Sequence, residues 1–432
     1  MPKHVCVIGA GPSGITAAWN LLDQGLQVTV FDDGHEVGGN WVYSDSEGHS
    51  SVFETTHIIS SRTLSQYEDF PMPENYPDYP SHKHLAAYFQ DYARHFNLYP
   101  HIRFNTLVSS CQLKEDGRWM VKTTNRAGGN GGVEEVHVFD ALAVCNGHHW
   151  LPRMPQYPGH FDGEFIHSHA VKRFSHFRDK RVLVIGGGNS ACDVAVESSR
   201  VATSVDMSWR RGYWIVPKFI MGKPADVFSH KLDWLPRWLW KKITHLSLKI
   251  RNGSNSLYGL PEPEGPIGSH HPTINEDLFY NIRHGKIKPR PDIEKLDGHT
   301  VFFTDGSSAD YDIVVACTGY IISHPFFDNS FIDYREGEVP LWLKMIHPDI
   351  GNLYFIGLFQ PLGCIWPGSE LQSRIMAREI AGKWKRPANI RQLIREELAH
   401  PDFHQVNTPR HTITVDYHRF RNRLLNQLKN SK

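Results

Sequence analysis

Two stretches of this chain, VCVIGAGPSGITAAWN at 5–20 and VLVIGGGNSACDVAVE at 182–197, repeat one pattern. In each, a short apolar strand runs into a glycine-rich turn and then into a helix. The first turn is Gly9-Ala10-Gly11-Pro12-Ser13-Gly14. The second is Gly186-Gly187-Gly188-Asn189-Ser190-Ala191, with Ala at the third small position. In this pattern the first glycine makes the tight bend, the second admits a pyrophosphate close to the backbone, and the third small residue lets helix and strand touch. The N–H groups at the start of the helix then face the phosphates. Two such turns mean two dinucleotide sites, and they predict an α/β chain with two Rossmann-like domains.

The residues after the second strand of each unit differ. QVTVF at 27–31 is followed by Asp32, a carboxylate suited to the two hydroxyls of a free ribose. SVDMS at 204–208 is followed by Trp209, Arg210 and Arg211, with no acid at that end. Two guanidinium groups there suit a 2′-phosphate, because Arg pairs with phosphate oxygens through two donors. The first site therefore expects an unphosphorylated adenosine, and the second expects NADPH over NADH.

Gly25 closes the first helix, and a second helix is expected near 83–96. Residues 102–145 read as a β-meander, with AGGNGG at 127–132 as a loop tip. The chain crosses into the second unit at the proline-rich HHWLPRMPQYPGH, 148–160, and returns near DIVVACTGY, 312–320. The expected domains are 1–150 and 320–432 as the two segments of one dinucleotide-binding domain, with 151–319 inserted between them. Within the insert, 222–272 shows few regular signals.

The 46 basic and 46 acidic residues balance, so no net charge draws the chain to nucleic acid. Six scattered cysteines form no CxxC, which argues against a dithiol reductase. The 27 histidines show no zinc-binding spacing, and no metal site is expected. No apolar run reaches the roughly 20 residues needed to span a bilayer. LDWLPRWLWKKITHLSLKI, 232–250, mixes Trp, Leu and Lys and suits peripheral contact with a membrane surface. The opening MPKHVCVIGAG enters a strand at once, and a cytoplasmic protein without a leader is expected.

With these motifs in hand, the chain resembles the flavin-containing monooxygenases, the class B flavoprotein monooxygenases. The resemblance runs from VCVIGAGPSG to about Lys385. It rests on EVGGNWVY (36–43), DFPMPENYPDYPSHKH, VCNGHH (144–149), FDGEFIHSHAVKRF (161–174), WRRGYWIVPK, HPTINEDLFYNIRHGKIK, ACTGY and GLFQPLGCIWPGSELQSR. In FDGEFIHSHAVKRF, Phe161, Gly163 and His167 match the family signature, while Val171 replaces its final aromatic residue.

The resemblance implies FAD in the split domain and NADPH in the inserted one. It implies hydride transfer to flavin, a C4a-hydroperoxyflavin, and oxygen delivery to a soft nucleophile, an amine nitrogen or a sulfur of a small molecule. It assigns Gly39, Asn40, Trp41 and Gln360 to FAD together with Gly9, Gly11, Pro12, Ser13, Gly14 and Asp32. It assigns Thr318 and Gly319 to NADPH together with Gly186, Gly188, Asn189, Ser190, Arg210 and Arg211. A homodimer is favoured. The family places an Asn against the flavin in the loop before DFP. Here IISSRTLSQYEDFP offers Ser60, Ser61 and Arg62 instead, and Ser61 and Arg62 become the flavin-facing candidates. Three alternatives stay open: Baeyer–Villiger oxygenation of ketones, which Val171 disfavours and Arg62 permits; an uncoupled oxidase releasing hydrogen peroxide; and a non-catalytic dinucleotide sensor.

Overall fold

His4–Ile8 and Gln27–Phe31 pair in parallel, with Val5 opposite Val28 and Ile8 opposite Phe31. Both strands are short runs of β-branched and apolar residues, as expected of strands covered on both faces. Between them runs helix Pro12–Asp23, with proline at its start. Gly25, at φ +75°, ends that helix in the left-handed conformation glycine adopts cheaply. The computed structural model describes residues 2–45, 48–126, 132–230, 236–267, 272–335, 338–361, 363–402 and 412–429.

The chain divides into two units. The first comprises Met1–Tyr43, Ser60–Leu151 and Ile321–Lys432; the second comprises Ser44–Ile59 and Pro152–Tyr320. The sequence placed 44–59 with the first unit, and the structure places it with the second.

In the first unit a five-stranded sheet runs in the order Leu353–Phe355, Ala141–Val144, His4–Ile8, Gln27–Phe31, Ile102–Arg103. Every pairing is parallel. The chain winds outward from His4–Ile8 first to one side and then to the other, so a switch point lies beside that strand. The expected second helix is His82–His95. The meander is a three-stranded antiparallel sheet, Thr106–Leu113, Trp119–Asn125 and Val133–Phe139. Most of the glycine-rich tip, 127–131, lies outside the described residues.

In the second unit the order is Glu164–His167, Ile313–Ala316, Arg181–Ile185, Ser204–Ser208, Ile287–Arg290, again all parallel. Both sheets thus place the strand before the glycine turn at the centre, although the edge strand on the far side, Leu353–Phe355, comes last in the first unit and its counterpart, Glu164–His167, comes first in the second. Asp206 faces inward, accepting from Arg290 Nε at 2.6 Å and from the Tyr311 hydroxyl at 2.7 Å. A buried carboxylate needs such partners, and its orientation leaves it committed to the core. The stretch 222–272 is more regular than expected: it holds helices Ala225–His230 and Arg237–Asn252 and a 3-10 turn at Asn255–Tyr258. The longer helix escaped notice because, Leu248 apart, most of its apolar residues do not point into a core. Trp238, Leu246 and Ile250 are 63%, 60% and 77% exposed.

His324 sits in the first unit's core among Phe326, Phe327, Tyr334 and Phe355, its ring centroid 5.1 Å from that of Phe355 in an edge-on arrangement. Burial, with His148 adding to it, pushes its pKa down to about 3. The folded state therefore refuses a proton that the unfolded chain takes up below about pH 6.5. This histidine costs nothing above that pH and removes about 1.4 kcal/mol per unit as pH falls toward 3. Urea unfolding of His324→Phe should show a shallower acid loss of stability than the unsubstituted protein, by about one proton. Parallel pH profiles would contradict the burial account.

Candidate functional site

The two glycine turns match bond by bond. Gly9 donates to the Phe31 carbonyl at 2.8 Å, and Gly186 to that of Ser208 at 3.0 Å. Cys145 donates to Ile8 and Cys317 to Ile185, each at 2.9 Å. Ile15 donates to Gly11 and Cys192 to Gly188, each at 3.1 Å. Gly9 and Gly186 hold φ of +103° and +121°, and a Cβ on either would stand 2.7 Å from a carbonyl oxygen, that of Cys145 or of Cys317. No other residue fits there. A Cβ on Gly14 would lie 1.8 Å from the Gly9 oxygen, so the third position of the first turn must also be bare, whereas the second turn takes the small Ala191 there.

The second glycine of each turn is different. A Cβ on Gly188 would meet nothing within 4 Å, and one on Gly11 would touch only Gly39, at 3.6 Å. At these positions the backbone borders open space at a helix start, where the first N–H groups have no acceptor within their own helix. That cradle fits a pyrophosphate.

Asp32 is fixed beside the first turn. Its carboxylate accepts the Ala10 N–H at 2.5 Å and the Gly34 N–H at 2.7 Å. A carboxylate has roughly four acceptor positions, so these two bonds do not exhaust it. In the second unit, Asp206 is spent inside the core, and the strand end carries Arg210, exposed, and Arg211, half-buried. Neither forms an ion pair among the described residues. Trp209 beside them is buried and meets the Tyr213 ring edge-on at 5.5 Å.

Gly38 and Gly39 return against the first turn. Gly38 donates to the Ala10 carbonyl at 3.1 Å, and a Cβ on Gly39 would stand 3.0 Å from the Gly11 Cα. This close approach positions the short helix Gly39–Trp41 and so Asn40 and Trp41. The Trp41 ring meets Trp366 edge-on at 5.5 Å. Ser13 Oγ donates to Ser369 Oγ at 3.2 Å, joining the two helix starts. Tyr67 donates to the carbonyl of Pro12 at 2.6 Å. Gln360 Oε1 lies 3.4 Å from His148 Nε2, where loops leave the carboxyl ends of neighbouring strands. Ser61 is buried; Arg62 donates from Nη1 to the Pro73 carbonyl at 2.7 Å, which ties the short helix Arg62–Ser65 to the proline-rich segment.

Sequence reasoning named Asn189 but missed several supporting residues. Asn189 Oδ1 accepts the Ile274 N–H at 2.7 Å, which ties this helix start to the HPTINEDL segment. Thr273 donates to the Gly187 carbonyl at 2.7 Å, and Asn275 to Asp193 at 3.0 Å. These residues lie in HPTINEDL, a motif visible in the sequence, but nothing local reveals what it touches. Thr318 Oγ donates to the Arg153 carbonyl at 2.5 Å, and Arg153 N–H to Gly319 at 3.0 Å. Thr318 and Gly319 thus hold the strand exit, with Gly319 at φ +84°. His148 stands two residues beyond Asn146 but carried no sequence signal that pointed to Gln360. All six cysteines are unpaired, and burial pushes even the half-buried Cys317 up to about 12, which leaves inert thiols.

The flavin-binding monooxygenase-like family model matches residues 2–430. Flavin-containing monooxygenase 5 of Rattus norvegicus is 34% identical, over 96% of this chain and 80% of its own. Dimethylaniline monooxygenase [N-oxide-forming] 2 of Oryctolagus cuniculus is 34% identical, over 90% of this chain and 75% of its own. Among solved structures, S-allyl-L-cysteine S-oxygenase from Allium sativum aligns with a TM-score of 0.73 at 22% identity, covering 100% of this chain and 89% of that one. Cyclohexanone monooxygenase aligns with 0.74 at 16% identity, covering 99% and 98%. At those identities the structures speak for the fold alone, two Rossmann-type domains. The chain belongs to the flavin-binding monooxygenase-like family, and it is an FAD-dependent monooxygenase driven by NADPH.

Proposed function

We propose that this enzyme oxygenates the nitrogen or sulfur of a small, soft nucleophile, drawing electrons from NADPH and one oxygen atom from O2. The observation that carries the reading is the pairing of two equivalent glycine cradles with opposite charges beside them, Asp32 in one and Arg210-Arg211 in the other. The names of the rabbit N-oxide-forming relative and the garlic S-oxygenase agree with that acceptor class. FAD, when bound, relays electrons from the nicotinamide to oxygen and needs no triad or metal from the protein.

The protein's part is to bind, orient and keep water out. In this reading the first unit, residues 1–43, 60–151 and 321–432, serves FAD. Gly9, Gly11, Pro12, Ser13 and Gly14 cradle its pyrophosphate, and Asp32 accepts from its ribose. Gly39, Asn40, Trp41 and Gln360 line its other end, with Ser61 and Arg62 on the loop that replaces the family Asn. The second unit, residues 44–59 and 152–320, serves NADPH. Gly186, Gly188 and the backbone of Asn189 and Ser190 hold its pyrophosphate, Arg210 and Arg211 its 2′-phosphate, and Thr318 and Gly319 fix the strand exit beside it.

Residues 231–235 of the amphipathic stretch lie outside the described residues, and among those described no helix is long and apolar enough to cross a membrane. Helix Arg237–Asn252 carries no acidic residue. Its exposed Trp238, Ile243, Leu246 and Ile250 are flanked by Lys241, Lys242 and Lys249, with Lys242 Nζ 5.4 Å from the Trp238 ring. That composition suits an anionic membrane surface. Binding to phosphatidylserine vesicles, absent from phosphatidylcholine vesicles and lost in Leu246→Ser/Ile250→Ser, is the expected result of co-sedimentation.

The oxygen acceptor is tested by offering a tertiary amine, a thioether and a cyclic ketone with NADPH and O2. Amine oxide or sulfoxide matching the NADPH consumed is expected. Lactone from the ketone, or hydrogen peroxide with no oxygenated product, would contradict the reading. Cofactor choice is tested by Arg210→Ala/Arg211→Ala. Charge-assisted bonds of about 1.5–3 kcal/mol each predict a KM for NADPH raised by roughly 10-fold or more, with kcat little changed and NADH kinetics unmoved.

A further inference from the structure

Between Trp41 and Ser61 the chain leaves one unit, and residues 44–59 pack as part of the other. What holds them is the end of the FDGEFIHSHAVKRF stretch. Arg173 pairs with Asp45 through two bonds, Nε to Oδ1 at 2.7 Å and Nη2 to Oδ2 at 2.5 Å. His169 Nε2 lies 2.7 Å from the Gly48 carbonyl oxygen. The buried Lys172 donates to the Ser50 carbonyl at 2.5 Å. Glu54 donates its N–H to the Lys172 carbonyl at 3.0 Å and accepts the Phe174 N–H at 2.9 Å. Phe53 is buried in the cluster of Val171, Phe174 and Phe177, with its ring 5.1 Å from that of Phe174.

Partners thus occur at Asp45, Gly48, Ser50, Phe53 and Glu54, so the stretch is held at several points along its length rather than tethered at one. The Asp45–Arg173 pair is more than half exposed and worth little alone, despite its bidentate geometry. Lys172 is different. Its ammonium is out of water and must keep its acceptors, so the Ser50 bond is expensive to break. Phe53 adds apolar burial on the same run.

The clasping residues connect directly to the second glycine turn. Ser168 donates to the Ala316 carbonyl at 2.9 Å. Strand Ile313–Ala316 pairs with Glu164–His167 on one side and with Arg181–Ile185, which ends at Gly186, on the other. His167 Nδ1 accepts the His169 N–H at 3.1 Å, and its ring meets Tyr320 at 5.2 Å, just past Thr318 and Gly319. At the other end, residues 44–59 begin three positions after Trp41 and end two before Ser61.

We infer that Glu54, Lys172 and Arg173 are positioning residues that make 44–59 a strap. They fix it to the unit carrying the NADP(H) cradle, so that filling the cradle is transmitted along the chain to Trp41 at one end and Ser61-Arg62 at the other. The inference rests on the assignment of the two cofactors above. It gives the signature stretch a mechanical role, and Val171 a place in the core that receives Phe53.

The test titrates NADP⁺ into the oxidised, FAD-loaded enzyme and records both NADP⁺ affinity by calorimetry and the flavin absorbance difference spectrum. In Lys172→Met/Arg173→Ala, FAD content and NADP⁺ affinity should stay within about twofold, since neither side chain lies in a cradle. The flavin difference spectrum should shrink by about fivefold or more, the lower end of ordinary coupling between sites. Because Lys172 is buried, a second set keeps the core intact. Arg173→Asp should weaken the response, and Arg173→Asp/Asp45→Arg should restore it. An unchanged spectral response in the cation-free variant, or no restoration by the charge swap, would overturn the strap. A native enzyme whose flavin ignores NADP⁺ would overturn it too, whereas a native enzyme without FAD would sink the cofactor assignment beneath it.

Discussion

At Gly9 and again at Gly186, the backbone passes so close to the carbonyl oxygen beyond a neighbouring strand that a single Cβ would collide with it at 2.7 Å. That approach lets a strand end, a turn and a helix start occupy one small volume with the helix N–H groups facing outward. The central strand of each sheet, the switch point beside it and the open space over Gly11 and Gly188 follow from it. Glycine is costly in a chain because it is floppy when unfolded. Here it is the only residue that the geometry accepts.

From this shared cradle the two sites diverge through the fate of one carboxylate. In the first unit the acid stands just past the strand, at Asp32, and is held by the Ala10 N–H of the turn and by the Gly34 N–H. In the second, Asp206 sits within the strand and is buried against Arg290 and Tyr311. The strand end is left to Arg210 and Arg211. A position shift of a few residues thus leaves a carboxylate at one strand end and two guanidinium groups at the other, and the proposed assignment of FAD to the first site and NADPH to the second rests on that difference.

Much of this was legible in the sequence because it is local. A strand, a turn and a helix lie within about twenty residues, and the period of apolar residues and the glycine spacing report them directly. Gly25 as a helix stop and the reading of Asp32 against Arg210-Arg211 rest on the same proximity. What escaped is long-range or faces the wrong way. Residues 44–59 look like an ordinary excursion of the first unit, since Lys172 and Arg173 lie more than a hundred positions away. Asn189 reads from the sequence only as part of a glycine turn, and its Oδ1 bond to the Ile274 N–H, 85 positions away, was not visible. Helix Arg237–Asn252 has helical spacing at Leu239, Ile243, Leu246 and Ile250, but Ile243, Leu246 and Ile250 are exposed, so that spacing does not mark a core-facing stripe. Gln360 and His148 meet only because two strands 212 positions apart in sequence end side by side.

The central claim is that one chain carries two dinucleotide sites that fill together. Native mass spectrometry of the enzyme titrated with NADP⁺ tests it most directly. A chain bearing one FAD and one NADP⁺ at once, with FAD undiminished at high NADP⁺, is the predicted result. A single nucleotide per chain, with NADP⁺ displacing FAD, would contradict the account.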